Sequence, residues 1–469
     1  FFRFFFSLNL WLEINFDFML KFESSLLDTL VSSHKIKSEF FSVSKALYDI
    51  SFKLPIGVAT IYKPFVILFL SISMCINLKK YNNTIKMKTL IKYIFLLILI
   101  LFSFNKNAFS EESIKIGLIV PLTGEYKEIG ESIVKATRLA TNKINDSKIE
   151  IFTRDTEADP NTTFEVAQEL YENGIKIIIG PVFNENLIHL NKLKNVIFLS
   201  LTNKLINNPK NVISTGINAV SQIKTIKKYL NQNEIKKTVF MIPNSEIKYE
   251  IEEAILQSKI KLKEKFIYDT DPTILTSQIE DLTYYKIRKQ NLEDEILRLQ
   301  NSNEAGNEKK IETLKKRDTL GGINFDSVII ADFDESLKSV ATSLLYTDVT
   351  PKRIHYICLN QWFDKSLLKE ENIQPIYFPS INKKNYDKFS KEYNEIYGKH
   401  PNQLSFLSYD LIGLVYFLIY KNDFIVDDKI FYKKNKFKGK IGIFEINENK
   451  ITHTLNFYSV ENKKFKEIF

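Results

Sequence analysis

Short, continuous apolar segments alternate with helical patterns from about residue 114 onward, and this alternation restricts the fold more than any other feature. Uninterrupted apolar runs of this length are typical of parallel strands that are covered on both faces. Repeated strand–helix units predict an α/β fold with doubly wound, mostly parallel sheets. The predicted strands are Ile114–Val120, Ile149–Arg154, Ile175–Ile179, Val196–Leu201, Lys237–Ile242, Asp326–Ala331 and Ile354–Leu359.

Apolar residues spaced three and four apart mark the helices between these strands. One buried stripe runs through Ile129, Ile133, Ala136, Ala140 and Ile144. Another helix is predicted to begin after Asp159, because an N-cap carboxylate is followed by a proline at the first helical position. The acidic residues Asp155, Glu157 and Asp159 therefore indicate a strand end that leads into a helix cap, rather than a metal site.

One charged segment breaks the alternation. Between residues 280 and 318 the apolar positions are sparse, and they fit the seam of a helical hairpin that is interrupted by Lys289. The seam residues are Leu282, Tyr285, Leu292, Ile296 and Leu299. We expect a helical hairpin insertion at 280–318, which serves either as a solvated flap or as an arm that binds a partner.

Composition and motifs exclude several function classes. The formal net charge is +9, but lysines alternate with acidic residues through most of the chain, so we expect no nucleic-acid partner. The two cysteines and five histidines lack metal-ligand spacing. Phosphate-binding, zinc-protease and serine-hydrolase motifs are also missing from the sequence. We therefore expect no cofactor, no metal and no catalytic residues.

The N-terminal region contains an export signal. Met87 is followed by two lysines, an apolar run over 94–102 and small residues before Glu111, which is the pattern of a secretory signal peptide. We expect residues 87–110 to be a signal that is cleaved after Ser110, and residues 1–86 to be a non-native upstream extension. The mature protein is then expected to be periplasmic, with only indirect contact to the membrane.

Polar and aromatic residues follow several strands of the predicted sheets. Ligands of doubly wound folds bind beyond the carboxyl ends of the strands, where such residues converge. Hydroxyl and amide groups hold the polar head of a small solute, and aromatic rings pack on its body. Each residue could instead cap its own loop. The candidates are Thr123, Tyr126, Asn184, Ser200, Thr202, Asn203, Asn360 and Trp362.

Two sequence segments resemble a known superfamily. The opening "IKIGLIVPLTGEYKEIGESIVKATRLATNKIN" and the pair "IKIIIGPVFNEN" and "VIFLSLTNK" are similar to the first units of type I periplasmic binding proteins, which include the leucine/isoleucine/valine-binding proteins. The resemblance implies two α/β lobes, formed by 111–216 with 377–425 and by 217–376 with 426–469. Receptors of this superfamily usually have a Ser/Thr-rich loop where this chain has "GPVFNEN".

A narrower resemblance involves the insertion and later segments. "IHYICLNQWFD" and "FSKEYNEIYGKHPNQLSFLSYDLIGLVYFL" are similar to penicillin-binding protein activators of the LppC type. This resemblance implies a non-enzymatic regulator whose partner is a bifunctional peptidoglycan synthase. The alternative is a receptor of an ABC transporter that binds an amino acid or a related small metabolite.

Overall fold

The computed structural model describes residues 113–469, apart from residues 303, 305, 427 and 449. The signal peptide expected at 87–110 and the upstream segment 1–86 lie outside the described residues. Described elements are numbered from the first strand, at Ile114.

The first sheet is fully parallel and lies within residues 114–214. In its strand order β2-β1-β3-β4-β5, β1 lies between β2 and β3, so that Ile116 pairs with both Ile151 and Ile177. The strands are β1 (Ile114–Val120), β2 (Ile149–Asp155), β3 (Ile177–Ile179), β4 (Ile197–Ser200) and β5 (Val212–Ser214). The helices that follow β1 and β2 are α1 (Lys127–Ile144) and α2 (Pro160–Glu172). As predicted, Asp159 caps α2 by accepting hydrogen bonds from two backbone amides.

The second sheet has seven strands in the order β15-β14-β10-β9-β8-β6-β7. Five are parallel: β6 (Thr238–Pro243), β7 (Glu264–Tyr268), β8 (Ser327–Ile330), β9 (His355–Cys358) and β10 (Ile376–Ser380). The edge is antiparallel and consists of β14 (Asn456–Glu461) and β15 (Lys464–Glu467). Helices α3 (Ala219–Gln232), α4 (Lys248–Ser258), α5 (Pro272–Leu282) and α8 (Asp334–Tyr346) connect these strands.

A small antiparallel sheet and two further helices complete the described chain. The sheet consists of β11 (Asn435–Lys438), β12 (Ile443–Asn447) and β13 (Lys450–Thr454). The helices are α9 (Lys383–Tyr397) and α10 (Gln403–Lys421), both of which pack against α1. The architecture confirms the predicted α/β fold with mostly parallel sheets. The lobe boundary predicted at residues 376–377 falls at the start of β10, which pairs with β9 and β14 of the second sheet.

The insertion forms the predicted helical hairpin, made of α6 (Tyr285–Asn301) and α7 (Asn307–Leu314). Leu292 and Leu299 of the predicted seam are buried. The hairpin is also attached through Arg288, a charged residue that the apolar pattern did not identify. The side chain of Arg288 is buried, and its guanidinium donates to the carbonyl oxygen of Thr347 at 2.9 Å and to the hydroxyl of Thr319 at 2.7 Å.

Helix α10 is long and apolar enough to cross a membrane by length and composition, but it packs against α1 in the core. Its one acidic residue, Asp410, is buried and accepts a hydrogen bond from the amide of Ile441 at 2.6 Å. A Cβ atom at Gly439 would lie 2.3 Å from the Asp410 carboxylate. Glycine at 439 therefore lets the turn between β11 and β12 close over this carboxylate.

Replacement of Arg288 by methionine is expected to loosen the hairpin. The substitution removes the guanidinium that donates to the buried Thr347 carbonyl oxygen and the Thr319 hydroxyl, and it removes one of the two positive partners of Asp348, whose carboxylate lies 3.6 Å away. The expected cost is about 3 kcal/mol of unfolding free energy, measured by urea denaturation with hydrogen exchange over 285–314. Arg298→Met on the same helix is the control, because Arg298 is exposed and pairs only with Glu295. Equal losses in both variants would contradict the role assigned to Arg288.

Asp410 is expected to make stability depend on pH. Burial raises the pKa of Asp410 from its ordinary value of 3.8 to about 6 in the folded protein. The folded state then holds a proton that the unfolded state releases, so unfolding free energy falls as pH rises from about 4 to about 6, by about 3 kcal/mol in total. Asp410→Asn is expected to flatten this part of the pH profile and to stabilise the protein at pH 7. An unchanged difference between the two proteins across this range would contradict the assignment.

Candidate functional site

The eight candidate residues lie where the strands of the two parallel sheets end. Those of the first sheet follow β1, β3 and β4, and the structure connects their loops. The rings of Tyr126 and Phe183 are 4.5 Å apart, and the hydroxyl of Ser200 donates to the carbonyl oxygen of Pro181 at 2.9 Å. Asn360 and Trp362 follow β9 and belong to a separate network on the second sheet.

The turn after β1 is organised by Asp155 at the end of β2. Its carboxylate accepts hydrogen bonds from the amide of Leu122 and from the hydroxyl of Thr123, both at 2.7 Å. Partial burial would raise the pKa of Asp155. These hydrogen bonds and one from the amide of Glu157 outweigh burial and hold that pKa below its ordinary value. The Thr123 hydroxyl is therefore engaged with a neighbouring strand end.

The loop after β4 also uses its own hydroxyl groups. Ser200 is fully buried and, besides donating to Pro181, accepts from the amide of Thr202 at 3.3 Å. The Thr202 hydroxyl accepts from the amide of Lys204 at 3.2 Å. Asn203 is exposed. These contacts have the geometry of loop capping, in which short polar side chains replace backbone partners.

Asn184 differs from the other candidates of the first sheet. It begins a short 3₁₀ helix over Asn184–Leu187, is half-buried, and its Oδ1 atom has no hydrogen-bond partner among the described residues. With Asn207, Asn208 and Pro209 it lines a cavity of about 360 Å³. Among the candidates, Asn184 therefore has a buried acceptor that no described group satisfies.

On the second sheet, Asn360 joins three elements. Its backbone amide donates to the side-chain oxygen of Gln222 of α3 at 2.8 Å. Its side-chain oxygen accepts from the hydroxyl of Ser380 of β10 at 2.8 Å and from the backbone amide of Trp362 at 3.0 Å. Trp362 is half-buried and packs against the core. Gln222 was not among the predicted residues, because it lies on a helix that precedes β9 by more than 100 positions.

A second cluster that the sequence did not identify lies at the ends of β7, β8 and β9. The hydroxyl of Tyr268 donates to the carboxylate of Asp332 at 2.8 Å, and the side-chain amide of Gln361 donates to the Asp332 carbonyl oxygen at 3.2 Å. Burial raises the pKa of Asp332. The position of Asp332 directly after a buried strand was a signal that could have identified it.

The loop after β4 reaches the second sheet and its helices. Leu205 packs against the apolar cluster that includes residues of α3 and α4. Glu250 of α4 has a pKa that burial raises, and the charge of Lys204 and a hydrogen bond from the backbone of Leu205 oppose that effect. Lys204 also lies 3.9 Å from Glu185. Residues of the loop after β4 thus form contacts between the first sheet and the helices of the second sheet.

The described part of the chain contains no group of three or more His, Cys, Asp or Glu side chains arranged to bind a metal ion. The chemistry available at the strand ends is therefore that of hydrogen bonding, aromatic contact and a few partly buried charges.

Comparisons with known proteins agree with this fold. Residues 113–263 match a family described as "Periplasmic binding protein". An uncharacterized protein of Methanocaldococcus jannaschii is 30% identical over 86 residues, which is 17% of this chain and about a fifth, 21%, of that relative's length.

Two solved structures cover 76% of this chain and 100% of their own. One is a putative branched-chain amino acid ABC transporter protein from Rhodospirillum rubrum, with a TM-score of 0.58 and 12% identity. The other is the C-domain of LpoA from Haemophilus influenzae, described as a regulator of PBP1A, with a TM-score of 0.51 and 13% identity. At these identities the likeness shows the fold alone. The protein has the type I periplasmic binding protein fold, as the sequence predicted.

Proposed function

We propose that this protein is a non-enzymatic, periplasmic regulator that binds a bifunctional peptidoglycan synthase and favours its active state. The protein would act by a shift of population, because a partner that binds one conformation more tightly increases the fraction of that conformation. The proposal needs a protein-binding surface and does not need a solute in the cleft.

The observation that carries the proposal is the use of the candidate polar groups inside the protein. Thr123 is bound to Asp155, Ser200 to Pro181, and Asn360 to Ser380. A receptor site presents its hydroxyl and amide groups to the ligand, and a ligand that displaced these bonds would leave buried partners unsatisfied. The polar groups at these strand ends therefore support a structural role better than solute capture.

The hairpin α6–α7 supplies a surface outside the cleft. Ile287 and Leu297 of α6 are 59% and 55% exposed. Tyr284 is also exposed at the start of this helix, and Tyr346 is exposed beside the ring of Tyr285. These side chains are the apolar contacts that the hairpin would offer to a protein partner. The likeness of the fold to the LpoA domain is compatible with this use.

A second candidate function is a receptor that delivers an amino acid or a related metabolite to an ABC transporter. Two observations favour it: the likeness of the fold to the Rhodospirillum rubrum protein, and the unsatisfied acceptor on Asn184, a residue that lines a cavity. Closure of the two lobes on the ligand would then carry the signal.

Binding to the synthase of the same organism tests the first proposal. We expect saturable binding on a sensor surface, with a dissociation constant of about 1 μM, or about −8 kcal/mol. The double variant Ile287→Ser/Leu297→Ser is expected to weaken binding at least about tenfold, because it removes the apolar contacts of the hairpin. Ile396→Ser on α9 is the matched control, since Ile396 is 55% exposed but lies outside the hairpin.

Two results would count against this account. Absence of binding up to about 100 μM would remove the synthase as partner. Normal binding by the hairpin variant, together with folded protein by circular dichroism, would keep the partner but exclude the hairpin as the contact.

A further inference from the structure

The hairpin creates a cavity of about 480 Å³ at the amino-terminal edge of the second sheet. One wall consists of residues that precede β6, β8 and β9, among them Glu234, Asp326 and Ile354. The other wall comes from the insertion, through Arg288 and the Gly321–Gly322 pair. Doubly wound folds bind their ligands at the opposite, carboxyl edge. The cavity is therefore an addition that depends on the insertion.

The charged groups of the cavity divide into two sets. Asp348 is paired with both arginines, at 3.6 Å to Arg288 and 3.2 Å to Arg353. Arg288 is committed to the protein, because its guanidinium donates to several backbone and side-chain oxygens. Arg353 is 59% exposed and makes one hydrogen bond to a side chain, to Asp348, so most of its five donors remain available. This guanidinium forms the positive end of the cavity.

The negative end comes from Asp326 and Glu234. Within the described residues neither carboxylate forms an ion pair, and Asp326 accepts only the backbone amide of Lys237, at 3.1 Å. His355 also lines the cavity. Its ring shares a hydrogen bond with the hydroxyl of Tyr229 at 2.9 Å, and burial lowers its pKa.

Apolar side chains also line the cavity. Ile235, Ile323, Phe325 and Ile354 border the cavity. Gly322 leaves its wall open, because no heavy atom lies within 4 Å of the place where a Cβ atom would stand. The cavity therefore combines charged groups of both signs with a smaller apolar part, and its volume is in the range of small-ligand sites.

We propose that this cavity binds a small zwitterion of the peptide class, whose carboxylate meets Arg353, whose ammonium meets Asp326 and Glu234, and whose apolar side chain fills the space between them. A ligand with only one charge would satisfy one end and leave the other unpaired. The inference does not depend on the proposed regulatory function, since the site lies away from the strand ends at which the candidate cleft residues are found.

Three dipeptide probes of matched size test the site in titration calorimetry with the full protein. Alanyl-leucine carries both charges at neutral pH, N-acetyl-alanyl-leucine lacks the ammonium group, and alanyl-leucine amide lacks the carboxylate. Alanyl-leucine is expected to bind with a dissociation constant of about 1 mM or below, and each blocked probe at least about tenfold more weakly.

Variants identify the end that each charge meets. Asp326→Asn is expected to reduce the preference for alanyl-leucine over the acetylated probe, and Asp326→Asn/Glu234→Gln to abolish it, whereas Arg353→Met is expected to abolish the preference over the amide. Arg317→Met, on the same insertion but outside the cavity lining, is expected to bind like the unaltered protein. All four residues are exposed, so the variants are expected to fold.

Either of two results would overturn the proposal. One is the absence of saturable binding of alanyl-leucine up to about 10 mM. The other is binding that Thr202→Val in the cleft abolishes while Asp326→Asn and Arg353→Met leave it unchanged, since this would place the dipeptide at the strand ends instead.

Discussion

Loops that are buried beyond the ends of parallel strands must find hydrogen-bond partners for their polar groups, and this requirement organises the structure described here. The backbone of the turn after β1 is held by Asp155, and that of the loop after β4 by the hydroxyls of Ser200 and Thr202. An unpaired polar group at such a place would cost a large part of the stability of a lobe. Side chains that would contact a solute in a receptor are used here to complete the protein's own loops.

The same requirement explains the attachment of the insertion. A hairpin of charged residues buries little apolar surface, so hydrophobic contact alone would hold it weakly. Arg288 compensates by reaching carbonyl groups at the end of α8, and it brings Asp348 and Arg353 to the same place. The buried side chain of Arg288 thus fixes the hairpin in place, with Ile287 and Leu297 exposed, and forms part of the wall of the cavity. The proposed partner surface and the proposed zwitterion site both depend on that attachment.

The predicted parts of the fold are those that local pattern determines. The seven predicted strands correspond to strands β1 to β4, β6, β8 and β9. All except β2, a partly exposed edge strand, are short and mostly apolar segments that are largely buried. Strand β5 has only three residues and therefore no detectable period, and β7 is a half-exposed edge strand with charged side chains. Strands β11 and β15 alternate lysine with phenylalanine, and β14 pairs with β10, which lies far away in the sequence.

The site was harder to predict than the fold for a physical reason. The sequence shows that Thr123, Ser200 and Asn360 lie at strand ends. It does not show which groups they bind, because their partners Asp155, Pro181 and Ser380 belong to other segments. Arg288 lies beside Lys289 in a charged helix, and only the tertiary structure distinguishes the buried cation from the exposed one.

The polar groups of the cleft complete the protein's own loops and do not bind a solute. Thermal unfolding in the presence of each of the twenty amino acids tests this assignment. Measurements on the unaltered protein, on Thr202→Ala/Asn184→Ala and on Asp326→Asn separate the cleft from the cavity beside the hairpin. The account predicts that any rise in Tm persists in the cleft variant. A rise that the cleft variant abolishes and Asp326→Asn retains would contradict it and would identify the protein as a receptor.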